Sequence, residues 1–139
     1  MVSLVVMMAA TAQVTNIPPG LLEALCFVES SHNPQAKHQR DGGSPSHGLC
    51  QVKEKTARQF YPAVRADDLY DPAVNVRVAA TYLSWQYKRY RSWPRAVVAY
   101  NRGNAKGLQS SEYQRKVFKL WEGYVGQKTK KLRQISSKP

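Results

Sequence analysis

The sequence predicts a mainly α fold in a single domain. Three observations carry this. The chain has 139 residues, room for one domain of ordinary size. Apolar residues recur at helical spacing in several separate segments. No run alternates with period two for long enough to make a strand. At 42% hydrophobic and 22% charged, the chain can bury a real core. Eight Gly and eight Pro exclude collagen-like and Pro-rich disordered chains, and two Cys exclude a disulfide-dense scaffold. No apolar run reaches the roughly 18–20 residues that a bilayer-spanning helix needs.

The elements follow in order. Residues 1–16 form an apolar N-terminal segment, and the first charge in the chain is Glu23. Ala10-Thr11-Ala12 has the small-x-small form of a signal-peptide cleavage site, but the basic segment that should precede it is missing. Two readings stand: a secretory signal, or an apolar segment docked on the domain. The main domain is expected over residues 17–125. Pro18-Pro19-Gly20 opens a helix bearing Leu21, Leu22, Leu25 and Val28, which should stop near Ser31 because Asn33 precedes Pro34. A long polar loop over 35–47 follows, punctuated by Gly42, Gly43 and Pro45, then a short helix over 52–60. Asp71-Pro72 combines a capping carboxylate with proline at the first helical position, and Val76, Ala79, Ala80, Leu83 and Tyr87 continue that helix to about Tyr90. Ser92 and Pro94 open another helix through Asn101, ended by Gly103 and Gly107. A last amphipathic helix carries Tyr113, Val117, Leu120, Trp121 and Tyr124. Residues 126–139 turn basic and polar and read as a flexible tail.

Charge is unevenly placed. Residues 1–82 hold seven basic and seven acidic side chains, while residues 83–139 hold fourteen basic ones against Glu112 and Glu122. The whole net charge of +12 therefore lies in the C-terminal part. Such a field favours a polyanionic partner: nucleic acid, an anionic membrane, or the acidic polymers of a bacterial envelope.

Glu29 is the first candidate for chemistry. It stands at the expected C-terminal end of an apolar helix, directly after Phe27-Val28. The negative end of the helix dipole and apolar neighbours both disfavour its charged form. That is how a carboxylic acid is kept protonated near neutral pH to serve as a general acid.

Glu29-Ser30 with Asn33-Pro34 is followed by Gly48-Leu49-Cys50-Gln51, then by Leu69-Tyr70-Asp71-Pro72-Ala73-Val74-Asn75, then by Ala99-Tyr100-Asn101-Arg102-Gly103. Four blocks in this order, covering about residues 18–107, resemble the lysozyme-like lytic transglycosylases of the soluble lytic transglycosylase (SLT) domain family. The resemblance implies a lysozyme-like helical domain, with a long loop after the catalytic helix, that cleaves the bond between N-acetylmuramic acid and N-acetylglucosamine in peptidoglycan. It implies Glu29 as the catalytic acid and base, Ser30 as the residue orienting the glutamate or the N-acetyl group, and Gln51 lining the sugar cleft. Tyr100 and Asn101 would face the glutamate across the cleft, with the tyrosine hydroxyl touching the carboxyl. It implies no cofactor and no metal, a monomer, peptidoglycan glycan strands as partner, and a periplasmic, secreted or envelope-associated site of action; a phage-encoded wall enzyme also fits. Cys50 departs from the methionine usual in the family's Gly-Leu-Met-Gln block, and Arg102 and Asn104 depart from its small residues and Gly-Pro-Gly turn. Because the resemblance lays the Cys50 segment beside the helix of Cys26, a disulfide between the two is an expectation for an exported chain.

Glycosidases ordinarily use two carboxylates. Neither Asp41 nor Glu54, the next acidic residues after Glu29, stands where a nucleophile or base is needed. A one-carboxylate enzyme needs help from its substrate, which matches the non-hydrolytic reaction of the family. Hydrolysis of muramidase type on the same fold is the nearest alternative. Other constellations are weaker. Cys26, His32, His38, His47 and Cys50 lack the paired spacing of a zinc site, and nothing supplies an oxyanion hole for a Cys50–His47 nucleophile. Trp85, Trp93 and Trp121 read mostly as packing. Tyr82, Tyr87, Tyr90, Trp93 and Tyr100, interleaved with Lys88, Arg89, Arg91 and Arg95, would suit a nucleic-acid-binding module, but no recognised motif accompanies them.

Overall fold

The computed structural model describes residues 2–39, 43–107 and 111–136. Among them are six α-helices, a 3-10 helix and three very short strands: α1 Leu4–Val14, α2 Leu21–Ser30, β1 Lys37–His38, β2 Ser46–His47, β3 Val52–Lys53, α3 Glu54–Phe60, the 3-10 turn Ala66–Tyr70, α4 Pro72–Tyr90, α5 Trp93–Arg102 and α6 Glu112–Ser136. The mainly α fold expected from apolar spacing is the fold observed.

The capping chemistry explains where the helices begin. Asp71 Oδ1 accepts from the Ala73 N–H at 2.9 Å, so α4 starts where the Asp-Pro signal places it. Ser92 caps α5 by accepting from the Arg95 N–H at 3.3 Å. Gly103 ends α5 in the left-handed conformation at φ +89°. The core lies where α1, α2, α4, α5 and α6 meet, with Leu21, Leu22, Leu25, Val76, Leu83 and Val97 fully buried.

The N-terminal segment packs as one of its two readings expects, and two departures from the sequence reading have physical causes. The N-terminal segment is a helix whose Met8 and Ala12 are buried in the common core, against α2 and α4. The polar loop carries β1 and β2, which pair antiparallel with β3 in the order β1-β2-β3. Two-residue strands are too short for any period-two pattern to register. Beyond Gly126, where a flexible tail was expected, α6 continues to Ser136. Lys, Arg, Gln and Leu are all good helix formers, so a basic polar composition does not end a helix already nucleated on the core by Val117 and Trp121.

Candidate active site

Glu29 is the second-last residue of α2 and is half-buried. The helix stops because Ser31 and His32 both adopt left-handed backbone, φ +56° and +60°. The Ser31 N–H still bonds to the Phe27 carbonyl at 2.7 Å. The turned chain leaves Glu29 on the wall of a groove of about 490 Å³, which continues along Asn33, Gln35 and Lys37 to His38. Among the described residues that line it, Glu29 is the only carboxylate. Glu54, the other acidic candidate within the described residues, lines a separate groove with His47 and Arg58 and bridges Arg58 at 3.8 Å. Asp41 lies outside the described residues.

The segment 47–51 is tied to α2 by Cys26 and Ser30 and to α4 by Asn75. Cys26 and Cys50 are joined in a disulfide, with Cα atoms 4.3 Å apart and both side chains fully buried. Ser30 Oγ donates to the Leu49 carbonyl at 2.6 Å and accepts from the Asn33 N–H at 3.0 Å. Asn75, on the first turns of α4 and fully buried, accepts from the Cys50 N–H and donates to the His47 and Leu69 carbonyls, each at 2.8 Å. Gly48 sits at φ +77°, where a Cβ would meet the Leu69 carbonyl and the Asn75 side chain, so only glycine allows this approach.

Tyr100 comes up from α5. Its buried hydroxyl donates to the Cys50 carbonyl at 2.6 Å. Burial pushes the phenol pKa well above its ordinary value, and the nearby Glu29 charge pushes it further. The hydroxyl proton goes to the backbone carbonyl of Cys50. Tyr82 packs against Tyr100 with ring centroids 5.2 Å apart. Asn101 follows on α5, half-buried, and its amide makes no hydrogen bond among the described residues.

Ser30 and Gln51 both donate to backbone carbonyls. The Ser30 hydroxyl is spent on tying α2 to the Leu49 carbonyl, which fixes the helix end that bears Glu29. Gln51 is buried at φ +51° and its amide donates to the Ala36 and Gly48 carbonyls at 3.2 and 2.9 Å. Its oxygen lies 2.6 Å from His38 Nδ1. It is His38, weighed in the sequence only as a metal ligand, that reaches the groove. Asn75 was legible as part of a helix start, but its work as a clamp on the loop had no sequence signal beyond its place three residues after a proline.

The alternative constellations come apart. The disulfide removes Cys26 and Cys50 as thiolates, and His32 Nε2 lies 2.9 Å from the Glu23 carbonyl oxygen. His47, buried, pairs with the Tyr70 hydroxyl at 2.8 Å. Of the aromatics interleaved with basic residues, Tyr87 and Trp93 stack on each other at 4.1 Å, and Tyr90 accepts from the Ala105 N–H while Arg89 and Arg95 lie over its ring.

Comparison with known proteins agrees with this geometry. The profile of the transglycosylase SLT domain family matches residues 7–120, from within α1 to α6. The membrane-bound lytic murein transglycosylase E of Buchnera aphidicola is 29% identical over 124 residues, covering 78% of this chain and 53% of that protein. The chain thus spans about half the length of that relative. The invasion protein IagB of Salmonella typhi is 35% identical over 126 residues, covering 88% of this chain and 74% of that protein. The crystal structure of an inactive glutamate-to-glutamine mutant of the lytic transglycosylase Slt from Pseudomonas aeruginosa superposes with a TM-score of 0.70 at 21% identity, over 89% of this chain and 24% of that one. That likeness establishes a shared lysozyme-like helical fold. With the profile running through the helix of Glu29, the clamped 47–51 segment and the Tyr100 helix alike, the chain belongs to the transglycosylase SLT domain family.

Proposed function

We propose that this chain is a peptidoglycan lytic transglycosylase in which Glu29 acts first as acid and then as base. The observation that carries the reading is the solitary carboxylate: Glu29 is the one acidic side chain among the described residues lining its groove. The kinship with proteins named as murein transglycosylases supports the substrate class.

The chemistry follows from having one carboxyl group. The Glu29 proton passes to the glycosidic oxygen between N-acetylmuramic acid and N-acetylglucosamine, and that bond breaks. The N-acetyl oxygen of the muramyl sugar meets the electron-poor anomeric carbon in place of a second protein carboxylate. Glu29, now a carboxylate, removes the proton of the same sugar's 6-hydroxyl, whose oxygen attacks the anomeric carbon, displaces the N-acetyl oxygen and closes a 1,6-anhydro ring. Atoms balance without water: the proton lent in the first step returns in the second. Tyr100 positions the site through the Cys50 carbonyl, and Ser30 does so through the Leu49 carbonyl. Asn101 and His38 are left to meet the sugar.

A buried disulfide suits an oxidising compartment, so we place the enzyme outside the cytoplasm, at the cell envelope. It acts as a monomer, and its basic C-terminal half attracts the anionic wall. The test is Glu29→Gln on purified peptidoglycan. The variant should fold and bind walls but lose activity by at least about 10²–10⁴-fold, the usual cost of removing a general acid–base. Full activity would remove Glu29 from the mechanism.

A further inference from the structure

We infer that the outward face of α1 docks on a lipid bilayer bearing anionic headgroups. The observation is an anomaly of exposure. The segment Leu4–Val14 holds no charged residue at all, and only Met8 and Ala12 are buried. The opposite stripe, at helical spacing, is Val2, Val5, Val6, Ala9 and Ala10, all exposed, with Val2, Val5 and Val6 at 71%, 63% and 58% of their accessible surface. A helix on the surface of a globular domain normally puts charged residues on that face, as α6 does with Arg115, Lys116 and Lys119. A row of exposed valines on an uncharged helix instead marks a contact surface, and beside cations it suits a membrane surface.

The surroundings select the partner. At its C-terminal end α1 exposes Val14 at 83%, on the rim of a groove of about 620 Å³ shared with Lys88, Arg91 and Trp93. Apolar stripe, flexible cations and a tryptophan side by side match the acyl, phosphate and interfacial layers of a membrane surface. The chain's net charge of +12 supplies long-range attraction to an anionic leaflet. The described helices include none long and apolar enough to cross a bilayer, so the contact is with its surface. Docking leaves the groove of Glu29 clear, because α1 joins α2 at its N-terminal end and Glu29 lies about 12 Å further along that helix.

The test is sedimentation of the full chain with vesicles, at about 0.15 M salt so that weak surface attraction is screened. Phosphatidylcholine vesicles containing phosphatidylglycerol should bind it, and pure phosphatidylcholine should bind it more weakly. Val5→Gln with Val6→Gln, which keeps good helix formers, should weaken binding at least about tenfold. Lys88→Gln with Arg91→Gln should weaken it roughly 25-fold on anionic vesicles only, about fivefold for each cation. The valine pair should leave the rate on soluble wall fragments unchanged, which separates this inference from the catalytic reading. Absence of vesicle binding would overturn the inference. So would binding untouched by the valine pair, which would assign it to the basic face of α6. Concentration-dependent dimerisation lost in the valine pair would also overturn it, because the face would then belong to a second copy.

Discussion

Asn75 shows how one buried side chain can decide the shape of a site it never enters. Its three hydrogen bonds fix the backbone of His47, Cys50 and Leu69, and Cys50 in turn takes the Tyr100 hydroxyl. Asn75→Ala should cost about 3 kcal/mol in chemical denaturation, because it strands buried backbone groups, and it should lower activity well beyond that of a surface variant. Asn75→Asp should not rescue it, since an ionised carboxylate has no N–H for the two carbonyls. His47 sets a pH dependence. Burial lowers its pKa below 6.5, Lys37 adds to the effect, and Glu54 and Asp67 oppose it. A base with a lowered folded pKa binds fewer protons folded than unfolded. Its contribution is therefore intact above pH 6.5 and is lost as pH falls from there towards the lowered value. Melting temperature should drop across that window, and His47→Gln should flatten the slope. At this scale the sequence was legible for residue identity and less so for role. Glu29 stood out because a carboxylate after Phe27-Val28 is chemically awkward. No local pattern could show that the Ser30 hydroxyl bonds a carbonyl 19 residues away, or that Gln51 pairs with His38.

Among the elements, α2, α4 and α5 were readable because their ends carry strong local chemistry: Asn33-Pro34, Asp71-Pro72, Ser92-Pro94 and Gly103. The strands were not, because their two-residue pairing depends on Gly48 folding the loop back between α2 and α4. The far end of α6 was misread because basic composition signals solvent exposure, which a projecting helix has as much as a tail does. The Cys26–Cys50 bond ties α2 to the loop across 24 residues of sequence. Closing a loop of that size is worth about 3 kcal/mol through the unfolded state. Reduction should therefore lower the melting temperature by roughly 10 °C. It should also depress activity, because the bond lies between Glu29 and the carbonyl that holds Tyr100. A reduced protein with undiminished melting temperature would show that the hydrogen bonds of Asn75 and Ser30 hold the loop unaided.

The molecule as a whole divides its labour along the chain. Residues 1–82, neutral in sum, carry Glu29, the disulfide and Asn75, and residues 83–139, which hold the whole net charge, carry α5 and α6. Helical class came directly from apolar spacing, whereas the lysozyme-like arrangement came from four motif blocks in order, since no periodicity encodes how helices assemble. The central claim is that one carboxyl group performs both proton transfers and that water takes no part. Its most direct test is mass analysis of muropeptides released by the wild-type enzyme in water enriched with heavy oxygen. The account expects 1,6-anhydro-muramyl ends, lighter than the reducing ends by one water and free of heavy oxygen. Reducing ends carrying heavy oxygen would contradict it and make the enzyme a hydrolase on the same fold.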